Sequence, residues 1–492
     1  MVDIDEKEVQ AIVQRVRERL GEGTPTPATA PPPPPAPQRT TRRPAVGMGD
    51  LRDGIFPGID EAVAAAQVAF EQYRDMGLEA RHTIIEGIRR SMREHAQHLA
   101  RLAHDETGLG RWPDKVAKNL LVTNKTPGPE DLEPTVWTGD YGTTITEYAP
   151  WGVIASITPT TNPTSTIINN TISTLSAGNA VVFNVHPNAK RVSVENVQLI
   201  NQAIVAAGGP PNLVTAIPEP TIESAQQLMR HPRVPVLLVT GGPAVVREAL
   251  ATDKRAITAG PGNPPVVVDE TADIEQAGHD IVFGASFDNN IICTDEKEAF
   301  VVASVADELK RAMCRHGAVE LKEYQLRQIE RVIFDEMGPP RKPGVINPRW
   351  IGQNAGKILN EIGVQAGDEV RLILVEVPVE HNLVWTEQMM PVFPLVRVRN
   401  VDEAIDLAVK AEHRFRHTAS IFSRNVQTIT RMARAMNCSI FVANGPTLAG
   451  LGEGGEGFTS YSIASPTGEG LTRPRHFSRI RRITIVGDLR IV

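Results

Sequence analysis

The stretch Ser286 to Glu298, SFDNNIICTDEKE, holds Cys293, one of only three cysteines in the chain. A thiolate attacks electrophilic carbon well, and helix ends or nearby cations lower its pKa. Ile291 and Ile292 precede it and read as the end of a buried strand or a tight turn, and acidic and basic residues follow at once. That pattern puts the sulfur at the seam between a packed core and a polar pocket. Two readings of the window stand side by side: a nucleophile, or a small buried hydrophobe. Cys314 falls mid-helix and Cys438 opens the strand SIFVAN, and both read as packing residues. Two other segments could meet phosphate. VPVLLVT runs into Gly241 and Gly242 and then a helix starting at Pro243. Glycines admit close backbone approach, and a helix N-terminus favours negative charge. No GxGxxG follows, so a plain tight turn fits equally. NGPTLAGLGEGGEGF carries six glycines and looks like a phosphate cradle, but no Lys-Ser or Lys-Thr follows, so it is not a P-loop.

The 492 residues suffice for two or three domains at roughly 100–200 residues each. With 41% hydrophobic and 22% charged residues the composition is that of a soluble globular protein. A net charge of -7 gives no footprint for nucleic acid. No CxxC pair occurs, which argues against a disulfide framework and against a zinc site, and a reducing cytosol fits. No apolar run reaches the ~18 residues of a membrane span, and MVDIDEKEVQ lacks the features of a secretory signal. The expectation is a cytoplasmic protein with no metal and no nucleic-acid or membrane partner. His82, His95, His98 and His104 lie on long amphipathic runs at spacings that suit solvated helix faces rather than a metal site.

The elements that must position the chemistry follow in order. Val9, Ile12, Val13, Val16 and Leu20 draw one apolar stripe on a helix within residues 1–21. A Pro-rich linker, 22–47, with five consecutive prolines from Pro31, imposes extended geometry. A short amphipathic helix on such a spacer reads as a docking peptide. Long helical runs fill about 47–124. From Trp151 onward strand and helix alternate: WGVIASITP, TSTIINNTISTLSAG, NAVVFNVHP, RVSVENVQLINQAIVAAG, NLVTAIP, TIESAQQLMRHP, RVPVLLVTGG, PAVVREALAT. That repetition predicts a parallel sheet covered by helices, with ligands at the carboxyl ends of its strands. A second α/β region follows from about Ala259 to Cys438. The stretch DYGTTITEYAP and the tail HFSRIRRITIVGDLRIV alternate like strands of an oligomer arm.

Together these segments resemble the aldehyde dehydrogenase superfamily, over about residues 48 to 492. The residues that carry the resemblance are ITPTTNPTSTIINN, VVFNVHPNAKR, VTGGPAVV, TAGPGNPPVVVD, the Cys293 segment, TEQMMPVFPLVRV and the stretch from Gly452 to Arg482. The resemblance is closest to the CoA-acylating branch, the propionaldehyde and acetaldehyde dehydrogenases of bacterial microcompartments. It implies an α/β fold of two parallel-sheet domains with a β oligomerisation arm. The cofactor-binding domain would span 48–258, with oligomerisation strands near 130–148. The catalytic domain would span 259–440, and 441–492 would return to the first and end in an oligomerisation strand. It implies Cys293 as nucleophile and Asn162, with the Cys293 backbone N–H, as oxyanion hole. It implies a cofactor site of Thr160, Asn184, His186, Pro187, Thr240, Gly241, Gly242, Thr258, Gly260 and Glu387, the last gripping the nicotinamide ribose.

Departures from the family pattern sharpen this. Hydrolytic members carry a glutamate at Thr258 that activates water; without it a thiol is the better acyl acceptor, and CoA fits. A lysine at Asn184, a glutamate near Pro187 and a glycine at Val246 are also missing, which leaves NAD against NADP open. The implied reaction takes a short-chain aldehyde, NAD and CoA to acyl-CoA. The N-terminal helix resembles encapsulation peptides, implying a shell-protein partner through residues 1–20 and a microcompartment lumen. A homo-oligomer, dimer or tetramer, is expected. The rivals are a hydrolytic aldehyde dehydrogenase and an inactive cargo or scaffold protein. Which aldehyde is used stays open, with Thr161, Asn289 and Thr459 as candidate lining residues.

Overall fold

The computed structural model describes residues 52–490. The expected N-terminal helix and the whole Pro-rich linker lie outside the described residues. Two helices open the described chain, Ile59–Arg74 and Leu78–Thr107, followed by Trp112–Lys125. Each buries one stripe: Ile84, Ile85, Ile88, Met92 and Leu99 face inward from the long second helix. That helix stops at Gly108, in the left-handed region at φ 68, which a glycine enters without steric cost.

The strand–helix alternation builds a five-stranded parallel sheet. Its order is Val214–Ala216, Ala180–Asn184, Val153–Ile157, Val236–Thr240, Arg255–Ala259. The chain runs to one side of Val153–Ile157 first and then crosses to the other. The order therefore reverses between Val153–Ile157 and Val236–Thr240, and a crevice opens there beyond the strand ends. The connecting helices are as expected, Pro163–Ser176, Lys190–Ala206, Ile222–Arg230 and Pro243–Leu250. The helix Pro163–Ser176 is buried on every face, because strands, flanking helices and the Phe477 region all pack against it.

A second parallel sheet has seven strands. Its order is Ala318–Glu320, Leu372–Glu376, Val392–Val398, Glu298–Val302, Pro265–Val268, Thr418–Phe422, Ile440–Ala443. Continuous apolar strands such as Pro265–Val268 mark burial on both faces. A third, antiparallel sheet joins Thr135–Gly139, Gly142–Pro150 and Ser478–Val486, the last pairing from Ser478 opposite Pro150 to Val486 opposite Gly142. It carries exposed Val136, Trp137, Ile480, Ile483 and Val486.

Two cysteine expectations change. Cys314 is exposed at the penultimate position of the helix Ala303–Arg315. The inward stripe there is Ala306, Leu309, Ala312 and Met313, and position 314 turns just past it. Cys438 precedes its strand by two residues and is half-buried, its thiol donating to the Ile440 carbonyl at 3.0 Å. The second core tests this layering. Phe300 is fully buried in the strand Glu298–Val302, and Phe300→Ala should cost about 3–5 kcal/mol. A urea midpoint equal to that of the unsubstituted protein would contradict the packing described.

Candidate active site

Cys293 lies on the turn that leads into the strand Glu298–Val302. From Gly284 to Val302 every residue is buried except Cys293, which is half-buried. Cys293 is thus the one residue of this segment with part of its surface exposed, while it also packs against the hydrophobic core. The turn is built from Asp288, Asn289 and Asn290, all left-handed with φ of 44, 57 and 64. Asp and Asn tolerate that region better than other non-glycine residues. Asn290 ties it down: its amide donates to the Ala285 and Glu296 carbonyls at 2.8 Å each. Lys297 Nζ donates to Asn290 O at 2.7 Å, Asn290 Oδ1 at 2.6 Å and Ile292 O at 3.2 Å. The Ile292 N–H donates to Asp295 Oδ2 at 3.1 Å. No other residue's backbone accepts the Cys293 backbone N–H among the described residues, and it lies against its own thiol. A Cβ on Gly262 would run into the Cys293 carbonyl oxygen, so TAGPGN needs its second glycine for close approach.

The run Asp295 to Glu298 corrects the expected polar pocket. All four residues are fully buried behind the nucleophile. Asp295 and Glu298 sit well above the usual carboxylate range and Glu296 near 7, in each case mainly through burial. The expected lowering of the Cys293 thiol is also reversed. Cys293 is densely surrounded, and burial first, then the Glu387 carboxylate, push the thiol up to about 12 against the pull of Lys297.

Glu387 accepts the Gly262 N–H at 3.5 Å. His417, not foreseen, is fully buried with its ring against Gly262, and burial takes its pKa down to about 4, so it is neutral at pH 7. Its Nδ1 pairs with Thr418 Oγ1 at 2.9 Å, and its Nε2 has no partner among the described residues.

Asn162 opens the helix Pro163–Ser176 at the crevice between the two central strands. Its Oδ1 accepts from Lys118 Nζ at 2.7 Å, and its Nδ2 lies 3.2 Å from Thr161 Oγ1. Lys118 also donates to Asp288 Oδ2, which Lys115 reaches at 3.0 Å. Asp288 Oδ1 accepts the Arg111 N–H at 2.6 Å. Lys115, Lys118 and Asp288 are all buried. The sequence held a signal for the lysines: Lys115, Lys118 and Val122 share the i, i+3, i+7 stripe that the helix buries.

The other implied cofactor residues divide. Thr240 caps its strand and pairs with Ser462 Oγ at 2.7 Å. Gly241 and Gly242 follow, half-buried and exposed. A Cβ on Gly242 would meet nothing within 4 Å. That open N-terminus of Pro243–Leu250 fits a nucleotide pyrophosphate. Thr160 lies in the loop between the strand Val153–Ile157 and the helix Pro163–Ser176, its Oγ1 buried without a partner among the described residues. Gly260 packs on Pro466. Thr258 is fully buried, its N–H donating to Thr467 Oγ1 at 3.1 Å. His186 turns inward to accept the Asn188 N–H, and Pro187 is exposed. Asn184 is drawn away: its Oδ1 accepts from Ser224 Oγ at 2.6 Å, fixing the start of Ile222–Arg230. Asn289 is buried, and its amide donates to Gly352 O and Asn354 Oδ1 at 2.8 Å each. The glycine-rich stretch is the reverse of a phosphate cradle. Its Gly452 and Gly455 carbonyls close on the Lys125 ammonium.

A parallel sheet with a dinucleotide-type crevice, facing an outward cysteine and a fixed side-chain amide, is the arrangement of a thiol-dependent dehydrogenase. The model of the aldehyde dehydrogenase family matches residues 49–320 and 370–460, and the chain belongs to that family. It is 52% identical over 440 residues to an acetaldehyde dehydrogenase (acetylating) EutE of Salmonella typhimurium, covering 89% of this chain and 94% of the relative. It is 42% identical to a propanal dehydrogenase (CoA-propanoylating) of Citrobacter freundii, covering 89% and 94%. A solved Rhodopseudomonas palustris propionaldehyde dehydrogenase with bound propionyl-CoA superposes with a TM-score of 0.86 at 45% identity, covering 91% and 99%. A propionaldehyde dehydrogenase from the Clostridium phytofermentans fucose utilisation microcompartment superposes with a TM-score of 0.87 at 42% identity, covering 90% and 100%.

The raised thiol gives a direct test. Below a pKa of about 12 the thiolate fraction rises tenfold per pH unit. Iodoacetamide labelling of Cys293 in the free protein, followed on its peptide by mass spectrometry, should climb through pH 6 to about 10 without levelling. A plateau near neutrality would show a lowered thiol instead.

Proposed function

We propose that the protein is a CoA-acylating aldehyde dehydrogenase that converts a short-chain aldehyde and a nicotinamide dinucleotide, with CoA, to acyl-CoA. The observation that carries this reading is Thr258. It lies in the strand Arg255–Ala259 in full burial, with a hydroxyl that cannot take a proton from water at neutral pH. The step that would consume water therefore lacks its base, while Cys293 and Asn162 are both held in place.

Cys293 Sγ bonds to the aldehyde carbon, and its proton passes to solvent water. The carbonyl oxygen becomes an alkoxide, which the Cys293 N–H and the second Nδ2 hydrogen of Asn162, the one not donated to Thr161 Oγ1, would bind. When bound, the nicotinamide supplies the acceptor for the hydride that turns this thiohemiacetal into a thioester. Gly241, Gly242 and Thr240 would hold the dinucleotide's pyrophosphate end, and Glu387 its nicotinamide ribose. The CoA thiolate then attacks the acyl carbon, and Cys293 leaves as thiolate. A product assay with C2 to C4 aldehydes tests this. Acyl-CoA should accumulate only with CoA, with little free acid in its absence, and Cys293→Ala should abolish both. Free acid formed at the CoA-dependent rate would overturn the reading.

Two assembly properties belong to the same proposal. The exposed apolar residues Trp137, Ile480, Ile483 and Val486 on the three-stranded sheet support a homo-oligomer built through that arm. The apolar stripe of residues 1–20 and the Pro-rich spacer support docking to a microcompartment shell protein, with the enzyme in the lumen. Removing residues 1–20 should leave kcat and KM unchanged and abolish co-purification with shells. Equal shell loading of the truncated protein would sink the docking role.

A further inference from the structure

The oxyanion donor and the turn that precedes the nucleophile are joined through one side chain. Lys118 Nζ donates both to Asn162 Oδ1, at 2.7 Å, and to Asp288 Oδ2. Asp288 belongs to the left-handed turn five residues before Cys293, and Asn162 heads the helix Pro163–Ser176 at the crevice. Lys118 and Asp288 are inaccessible to solvent, so no water competes for these bonds. The carboxylate is itself fixed from the far side by Lys115 and by the Arg111 N–H. Gly110 leaves just enough room for it: a Cβ there would collide with Asp288 Oδ1.

An ammonium has three donors and no acceptor. Beside it the Asn162 amide has a single favourable orientation, with Oδ1 towards Lys118 and Nδ2 away. The flip that a free asparagine undergoes at little cost would here set the NH2 group against the ammonium. The same charge draws electron density towards Oδ1 and leaves Nδ2–H a stronger donor, as charge-assisted networks do.

We infer that Lys118 is a positioning residue for the reaction: clamped by Asp288, it locks the rotamer of the Asn162 amide and polarises it, so that Nδ2 meets the alkoxide formed on Cys293. This rests on the reading of Cys293 and Asn162 as the acyl-transfer site. Lys118 touches neither aldehyde nor thiol. Its effect should therefore appear only where negative charge develops on oxygen.

The experiment uses the full-length enzyme with Lys118 substituted in two ways. Lys118→Met removes both donor and charge; Lys118→Gln keeps a donor without the charge; each is also made in an Asn162→Ala background. Lys118→Met should lower kcat by about 10- to 100-fold, below the ~10²–10³ of losing an oxyanion donor outright. The aldehyde KM and the iodoacetamide labelling rate of Cys293 should stay within about twofold. Lys118→Gln should recover part of the loss. In the Asn162→Ala background either Lys118 substitution should change kcat by less than about twofold, because its route of action is gone. A merely structural lysine would instead slow labelling and multiply its loss onto Asn162→Ala. That result, or Lys118→Met at the wild-type kcat, overturns the inference. Should Lys118→Met not fold, the Lys118→Gln pair with and without Asn162→Ala decides the same question. Cys293→Ala runs alongside: turnover there would refute the acyl-transfer reading itself, whereas its silence with an unimpaired Lys118→Met refutes only the clamp.

Discussion

Buried charge must be paired, and in this protein that requirement sets the geometry of the reacting groups. Asp288 lies out of water on a left-handed turn, where its carboxylate takes two lysines and one backbone N–H. Moving any partner by an ångström would strand a charge in a dry interior, at a cost of several kcal/mol. The helix Trp112–Lys125, the helix Pro163–Ser176 and the turn before Cys293 are therefore held in one arrangement. These come from distant parts of the chain and from both sides of the seam between the two parallel sheets. We read the pairing as fixing placement more than as adding stability, because a buried ion pair is weak evidence for stability.

Around Cys293 the same logic recurs with backbone carbonyls. Lys297 directs its donors to Asn290 and Ile292, so the turn is held from beneath. The acids beside it cannot all ionise in that space, and burial shifts Asp295, Glu296 and Glu298 towards the neutral form. One charge then dominates locally, the Lys297 ammonium, and it is opposed at Cys293 by Glu387. The resting thiol is consequently quiet. A quiet thiol suits an enzyme that must meet reactive aldehydes without being alkylated by chance electrophiles.

Much of the fold was legible because helix and strand periods are local properties. The helices Pro163–Ser176 and Lys190–Ala206 end just before Gly178 and Gly208, both at positive φ. Asn162 and Glu387 could be named because the resemblance supplied their positions, whereas Gly241 and Gly242 already stood out between a strand and a helix start. The structure left several expectations standing only in part. Asn184 was drawn off by Ser224, and the glycine-rich stretch proved to cage Lys125 through its carbonyls. Both depend on long-range neighbours that no window of sequence contains. The charged run DEKE misled for the same reason. A string of ionisable residues normally marks a solvated face, and only the packing of the second sheet shows that it faces inward. Lys115 and Lys118 were readable in principle, since they occupy the buried stripe of their helix.

The choice between water and a thiol as acyl acceptor follows from these placements. A thioester is cleaved by whichever nucleophile arrives ionised. Water near neutrality needs a base within hydrogen-bond reach, and the position where hydrolytic relatives keep a carboxylate holds the enclosed Thr258. Glu387 is anchored by Gly262, and Asp295 points to the backbone behind the thiol. A thiol with a pKa near 8.5 is already a few per cent thiolate at pH 7 and needs no such help. In the proposed reaction the leaving group is also favourable: Cys293 would depart as a thiolate, which the nearby Lys297 charge favours. Deleting one carboxylate thus redirects the acyl group without any new catalytic residue, provided the oxyanion site holds the second tetrahedral intermediate as well as the first. In the proposed reaction Asn162 would serve both, because each would place its oxygen on the same acyl carbon bonded to Cys293.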